Sequence, residues 1–111
     1  QGVSSAASDV YKRQILYSMS KAALNSAVKT MSKEFLKRKI RVNGILPANV
    51  KTNMFVSGED TFEDFMETAL ERQPLGIIDT EQVSYLAEFL LSDNAKYITG
   101  ELIVMSGGMT Y

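Results

Sequence analysis

Two short apolar runs constrain the fold of this chain most. The first covers residues 40–46 and is closed by Pro47, and the second is the run Leu102–Met105. Short apolar runs bounded by Pro or Gly predict β-strands. The second run contains no polar residue, which is expected of a strand that is buried on both faces.

The segments before and between these runs have helical patterns, so the predicted order is helix, strand, helix, helix, strand. Helices between strands indicate right-handed crossovers and therefore a parallel sheet. A sheet of two strands leaves two unpaired edges and a large apolar face. At 111 residues the chain is one domain at most, and we expect it to form part of an α/β domain, not the whole of one.

Three segments show the apolar spacing of amphipathic helices: one from Tyr17 to about Lys37, one within residues 53–76, and Thr80–Leu91. Their predicted buried positions are Leu24, Val28, Met31 and Phe35, then Phe62, Phe65, Met66, Ala69 and Leu70, then Val83, Leu86, Ala87 and Leu90. The second stripe fits ordinary packing, the wall of an apolar substrate pocket, or a lid.

Local signals mark the ends of these helices. Asp60 followed by Glu63, and Asp79 followed by Gln82, have the spacing of capping boxes. The basic residues 37–39 suit the carboxyl end of the first helix, where the helix dipole is negative.

Composition excludes several classes of function. Twelve basic and thirteen acidic residues give a net charge of -1 without a basic stripe, so we expect no nucleic-acid binding. The chain has neither Cys nor His, which excludes disulfides, thiol chemistry, Ser-His triads and His-ligated metal sites. No apolar run reaches the roughly 18 residues of a membrane span, and no signal peptide is visible. We therefore expect a cytoplasmic protein without a membrane or metal site.

Residues 1–14 differ from the rest of the chain. Residues 4–14 show no sustained helix or strand periodicity, and they match the in-frame translation of a transposase sequencing adapter. We predict that residues 1–14 are a non-native leader and that the domain occupies residues 15–111. The coding DNA tests this prediction, because different codons across the segment would remove the match.

The stretch Tyr17-Ser-Met-Ser-Lys21 places a phenol and an ammonium group four residues apart. On a helix this spacing puts both side chains on one face, one turn apart. A nearby cation stabilises phenolate and lowers the pKa of a phenol, so such a pair can transfer protons near neutral pH. Tyr and Lys are also common on helix surfaces, and the spacing alone is a weak signal.

Five pieces of sequence in order carry a stronger signal. They are Tyr17-Ser-Met-Ser-Lys21-Ala-Ala, Ile40-Arg-Val-Asn43, Pro47-Ala-Asn-Val50-Lys-Thr52, Asp79-Thr-Glu-Gln-Val, and Ile98-Thr-Gly-Glu with Ser106-Gly-Gly. Residues 15–111 with these pieces resemble the carboxyl-terminal portion of a short-chain dehydrogenase/reductase, in the branch that includes 3-oxoacyl-carrier-protein reductases. The resemblance implies the carboxyl-terminal part of a Rossmann-like, doubly wound parallel sheet.

The resemblance also implies roles for individual residues. Tyr17 is expected to be the catalytic acid or base, and Lys21 its pKa-lowering partner that also bonds the nicotinamide ribose. Together with this pair, Pro47, Val50 and Thr52 are expected to bind the cofactor, the last two through its carboxamide. The variable substrate loop is expected within residues 53–76, and the cofactor is NAD or NADP.

This sequence departs from the family pattern in several places. The Gly-rich phosphate-binding turn, the residues that select NAD or NADP, and the Asn-Ala-Gly stretch are absent, and Ala48 replaces the usual Gly after Pro47. Ser4 or Ser5 has the spacing of the family's catalytic Ser, but both lie in the predicted leader and are expected only to imitate it.

The sequence thus predicts a fragment of an oxidoreductase that interconverts a carbonyl compound and an alcohol by hydride transfer. The parent enzyme is expected to be a homodimer or homotetramer, and the isolated fragment is expected to be inactive. The alternative is a non-catalytic interaction module that pairs subunits through the first helix. The substrate, the choice between NAD and NADP, and the oligomeric state stay open.

Overall fold

A computed structural model describes residues 2–52 and 62–109 of the chain. The helices and strands are, in order, α1 (Gly2–Glu34), β1 (Gly44–Pro47), α2 (Phe62–Arg72), α3 (Thr80–Leu91) and β2 (Leu102–Met105). The predicted order of helix, strand, helix, helix, strand is confirmed.

The two strands form a parallel sheet, as predicted. Gly44 lies opposite Leu102 and Pro47 opposite Met105. Beyond the last pair, the Ala48 N–H donates to the Met105 carbonyl oxygen at 2.9 Å and extends the ladder by one bond. The chain between the strands contributes α2 and α3, which form the crossover that a parallel pair requires.

The first strand is shorter and later than the predicted run of residues 40–46. Ahead of Gly44, one backbone bond, from the Gly100 N–H to the Val42 carbonyl at 2.7 Å, is joined by side-chain bonds. The Asn43 amide donates to the Ile98 carbonyl at 2.9 Å and accepts from the Glu101 N–H at 3.1 Å. The strand also includes Pro47, which we had placed outside it. Pro is tolerated there because the position is a strand end on a free edge.

The first helix is longer than its predicted span from Tyr17 to Lys37. It begins at Gly2 and ends at Glu34, and a 3₁₀ turn, Phe35–Arg38, follows it. Residues 4–14 continue the helix without apolar periodicity, since Ala, Lys, Arg and Gln are strong helix formers. The boundary between residues 1–14 and 15–111 stays a prediction.

α1 rests on the sheet through small residues. Val28 and Ser32 are buried, one turn apart. A Cβ on Gly44 would lie 3.5 Å from the Val28 side chain, and one on Gly100, where φ is +74°, would lie 2.7 Å from the Ser32 hydroxyl. Gly100 therefore permits the close approach of the helix, whereas a Cβ on Gly44 would make only ordinary contact with Val28.

The predicted apolar stripe of α1 is only partly buried, and in this respect the prediction is wrong. Val28 is buried, but Leu24 is 58% exposed and Met31 is also exposed. The reason is that α1 extends well past the two short strands, so most of its apolar face has no neighbour in the described part of the chain.

β2 is likewise less buried than its apolar sequence predicts. Val104 is 53% exposed, although α1 contacts the sheet on the face of Gly44 and α3 lies near Ile45 on the other face. The two helices therefore cover the strand only in part, whereas a strand of this composition is expected to be buried on both faces.

The crossover helices agree with prediction in extent and differ at their caps. α3 has the predicted bounds, but the Asp79 side chain makes no capping bond, and only its carbonyl accepts the Gln82 N–H at 3.0 Å. The second capping pair, Asp60 with Glu63, lies outside the described residues.

The predicted apolar stripe of α2 is described only in part, because the side chains of Phe62 and Phe65 lie outside the described residues. Of its other members, Ala69 is buried, Met66 is half-buried and Leu70 is exposed.

Candidate functional site

The Tyr17–Lys21 pair lies on the exposed half of α1. The Lys21 Nζ is 5.6 Å from the centroid of the Tyr17 ring, a cation–π distance. Tyr17 is 64% exposed. The predicted one-turn pairing on a helix face is therefore present, and both groups are accessible to a ligand.

The direction of α1 places this pair at the carboxyl edge of the sheet. Ser32 lies against Gly100, and Val28, one turn earlier, lies against Gly44, which is further along the strand direction than Gly100. The helix therefore runs antiparallel to the strands. Tyr17 precedes Val28 by about 16 Å of helix, which equals about five strand residues beyond Gly44. Tyr17 is thus level with the loop that follows β1.

That loop, residues 47–52, contains the other three predicted site residues. Pro47 ends β1, Val50 forms a parallel bridge with Ile78, and Thr52 is exposed at the end of the described segment. Across the bridge, the Lys51 N–H donates to the Ile78 carbonyl at 2.8 Å, and the Ile78 N–H donates to the Asn49 carbonyl at 3.0 Å.

The bridge leaves the backbone of Val50 itself free. Its two bonds use the neighbouring residues Asn49 and Lys51, so the Val50 N–H and carbonyl point to the opposite side of the extended segment. Within the described residues neither group has a hydrogen-bond partner. A donor and an acceptor are thus presented side by side at the carboxyl edge, where open α/β sheets bind their ligands.

Sequence reasoning missed the residue that fixes this loop, Gln73. Its side chain has 0% exposure and makes three hydrogen bonds. Oε1 accepts the Asn49 N–H at 3.0 Å, while Nε2 donates to the Asn49 carbonyl at 3.1 Å and to the Gly76 carbonyl at 2.7 Å. The sequence offers no periodic signal for it, because a Gln between a helix end and a Pro is ordinary in loops.

The turn after β2 closes over the same side chain. Gly107 has φ +63°, and a Cβ there would lie 2.4 Å from the Gln73 Cγ. The Gly107 carbonyl accepts the Leu75 N–H at 2.8 Å. Gln73 is therefore enclosed by three segments that follow β1, α2 and β2.

Among residues 2–52 and 62–109, no cluster of three or more acidic, His or Cys side chains could hold a metal ion. No helix in these ranges combines the length and the apolar character that a membrane crossing requires. The side chains of Ser4 and Ser5 lie outside the described part of the chain.

Comparison with known proteins identifies the family. A profile described as Enoyl-(Acyl carrier protein) reductase matches residues 2–110. The chain is also 40% identical, over 97 residues, to the 3-oxoacyl-(acyl-carrier-protein) reductase of Thermotoga maritima, a stretch that covers 86% of this chain. The chain belongs to the short-chain dehydrogenase/reductase family.

Other short-chain dehydrogenases/reductases agree in sequence and fold. A tropinone reductase homologue of Arabidopsis thaliana is 35% identical over 96 residues, 86% of this chain and 35% of that protein. A 4-hydroxyisoleucine dehydrogenase complexed with NADH superposes with a TM-score of 0.73 at 34% identity, covering 85% of this chain and 39% of its own. A hydroxysteroid dehydrogenase of Escherichia coli gives 0.76 at 28% identity, with 86% and 39% coverage.

These comparisons confirm the fold class and the family resemblance. The chain spans 38% of the length of the Thermotoga reductase, which agrees with a partial doubly wound sheet. The roles of Tyr17, Lys21, Pro47, Val50 and Thr52 are the sequence predictions that the family suggests, and they are taken up below as proposals.

Proposed function

We propose that this chain is the carboxyl-terminal part of an NAD(P)-dependent oxidoreductase that interconverts a carbonyl compound and an alcohol. The observation that carries the proposal is the pairing of Tyr17 with Lys21, level with the loop after β1. Family membership supports it, because the relatives named above are reductases and dehydrogenases.

In this proposal Tyr17 moves the proton. Its phenol protonates the carbonyl oxygen during reduction and takes a proton from the alcohol during oxidation. Lys21 is one turn away, and its positive charge stabilises the phenolate that remains after proton donation. The same ammonium group donates a hydrogen bond to the ribose next to the nicotinamide.

The loop of residues 47–52 fits the nicotinamide end of a dinucleotide. The free N–H and carbonyl of Val50 match the acceptor and donor of a carboxamide, and the exposed hydroxyl of Thr52 adds a third polar group. Pro47 fixes the start of the loop at the end of β1. Hydride transfer is the chemistry that a nicotinamide cofactor supplies when it is bound.

The chain lacks the part of the site that binds phosphate. Its 111 residues contain no G-x-G-x-x-G turn, the family's device for holding a pyrophosphate at a helix amino terminus. We therefore propose that the isolated chain binds NADH and NADPH weakly and is inactive. A cytoplasmic location fits the absence of Cys, and the whole enzyme is proposed to be a homodimer or homotetramer.

A fluorescence titration of NADH and NADPH against the 111-residue chain tests the proposal that the chain lacks the phosphate-binding part of the site. We expect no saturation at micromolar cofactor concentrations, and a micromolar dissociation constant would contradict the proposal.

The reading frame upstream of Ile15 tests the class of the protein. A Gly-rich turn after a first strand is expected there, and a frame without one would overturn the proposed activity.

A second candidate function is a non-catalytic interaction module. It is favoured by the exposed apolar side chains on α1, namely Ile15, Leu16, Met19 and Leu24. Exposed large apolar side chains are typical of subunit contacts. Tyr17→Phe in the full-length protein separates the two functions: loss of activity with assembly intact supports the enzyme, and unchanged activity with altered assembly supports the module.

A further inference from the structure

The buried amide of Gln73 does more than fill space. It bonds both backbone groups of Asn49, as acceptor for the N–H and as donor to the carbonyl. A side chain that pairs with both groups of one residue imitates a neighbouring strand, and it fixes the orientation of that peptide. The Asn49 carbonyl and the Val50 N–H belong to one peptide unit, so the bond from Gln73 to that carbonyl helps to set the direction of the free Val50 N–H. The Val50 carbonyl shares its peptide unit with the Lys51 N–H, which donates to the Ile78 carbonyl.

We propose that Gln73 is a positioning residue for nicotinamide: by holding Asn49, it aims the free backbone N–H of Val50 at the carboxamide. This inference rests on the function proposed above and deepens it. Gln73 touches neither cofactor nor substrate in this account and acts only through the loop.

The chemistry of the clamp requires an amide. One end must accept a hydrogen bond and the other must donate two, to the Asn49 and Gly76 carbonyls. A carboxylate of the same shape accepts but cannot donate, and it would face two carbonyl oxygens. Met has a similar size and forms none of the three bonds.

The position of Gln73 also couples the loop to α2. Its own N–H donates to the Ala69 carbonyl at 2.8 Å, so the clamp is attached to the last turn of that helix. The bond to Gly76 ties the following turn to the same amide. Displacement of the end of α2 therefore moves Asn49, and nicotinamide affinity becomes sensitive to that helix.

The first experiment tests the clamp without any cofactor. Hydrogen exchange is measured on the 111-residue chain and on its Gln73→Met variant, with Gln82→Met, an exposed Gln on α3, as the matched control. We expect the Asn49, Lys51 and Ile78 amides to exchange at least about tenfold faster in Gln73→Met, while Leu90 and the control stay unchanged. Unprotected amides in the parent chain, or equal acceleration everywhere, overturn the clamp.

The second experiment tests the link to nicotinamide in the full-length enzyme. Dissociation constants are measured for NADH, NADPH and adenosine diphosphate ribose, which lacks nicotinamide. Gln73→Met is expected to raise the dissociation constant of the preferred nicotinamide cofactor about tenfold and to leave that of adenosine diphosphate ribose unchanged. If the role of Gln73 is merely structural, binding of both kinds of ligand weakens equally, and that result would overturn the inference.

Gln73→Asn provides a milder variant if Gln73→Met does not fold. It keeps an amide that can both accept and donate but is one methylene shorter, so it lengthens the bonds to Asn49 and Gly76 without burying a charge. It is expected to weaken binding of the same nicotinamide cofactor selectively, by a smaller factor. If the full-length protein binds neither nicotinamide cofactors nor adenosine diphosphate ribose, the proposed function is refuted. The hydrogen-exchange experiment still tests the clamp in that case, because it uses no cofactor.

Discussion

The amino-terminal half of α1 and the turn around Gln73 are built in opposite ways. From Lys12 to Leu24 every side chain of the helix is exposed, including Tyr17 and Lys21. Around Gln73, three segments meet on one fully buried side chain whose polar atoms are all bonded. Helix periodicity alone determines the geometry of the amino-terminal half of α1, whereas contacts between residues distant in sequence determine the geometry around Gln73.

This difference separates the residues that carry chemistry from those that hold it in place. The proposed proton donor needs only a helix and an open face, so its placement survives without neighbours. The proposed nicotinamide contacts lie on a loop, and a loop without regular structure takes its conformation from its hydrogen bonds. Substitutions in the first region should therefore change activity without stability, and substitutions in the second should change both.

The largest effect is expected for Tyr17→Phe in the full-length enzyme. Loss of the proton donor is expected to lower kcat by roughly 10²–10⁴-fold. The free energy of unfolding should change by less than about 0.5 kcal/mol, because the hydroxyl is on an exposed side chain. Steady-state kinetics and urea unfolding measure the two quantities.

Tyr85→Phe is the matched control for that prediction. Tyr85 is a similarly exposed Tyr on α3, a helix that contributes no residue to the proposed site. Both its activity and its stability are expected to equal those of the parent. Equal activity of the two variants would show that Tyr17 has no catalytic role.

Next in size is Gly107→Ala, which pushes a methyl group into the Gln73 side chain. The added Cβ would lie 2.4 Å from Cγ, at a backbone φ of +63°. Overpacking together with the left-handed backbone is expected to reduce the free energy of unfolding by about 3 kcal/mol.

Gly76→Ala separates the two contributions. Gly76 also has a positive φ, +101°, but a Cβ there meets nothing within 4 Å. The expected loss is about 1–2 kcal/mol from the backbone alone. If urea unfolding gives equal losses for the two variants, the clamp around Gln73 is not tightly packed.

Asn43→Ala is expected to have a moderate effect. It removes the side-chain bonds to Ile98 and Glu101 that add to the backbone bonds ahead of β1. The expected loss of unfolding free energy is about 1–2 kcal/mol. Asn94→Ala, at an exposed Asn in the 3₁₀ turn Asp93–Ala95, should lose less than about 0.5 kcal/mol and serves as the control.

The two regions also differ in how far sequence could predict them. Helix periodicity gave the bounds of α3, and the apolar run gave β2, because both depend on local patterns. The shift of the first strand to Gly44–Pro47 depends on the Asn43 side chain, and the clamp depends on Gln73; both make bonds across 24 or more residues of chain. Such pairings leave no trace in spacing.

Burial was the property that sequence predicted least well. The apolar stripe of α1 indicates one covered helix face and the apolar run of β2 indicates two covered strand faces, yet Leu24 and Val104 are exposed. A pattern reports the environment in which a segment is stable, and the described residues supply only part of that environment. The pairing of Tyr17 and Lys21 was predictable because it depends on helix periodicity, whereas the support of the loop depends on contacts distant in sequence.

The smallest effect is expected for Leu24→Ala in the 111-residue chain. Because Leu24 is 58% exposed, its truncation should change the free energy of unfolding by less than about 0.5 kcal/mol. Leu90→Ala, at a position that is 7% exposed on α3, should lose about 2–4 kcal/mol in the same assay. In a full-length enzyme whose remaining layers cover α1, the loss at Leu24 should rise toward that at Leu90. A small loss there as well would show that the face of α1 stays open in the whole protein.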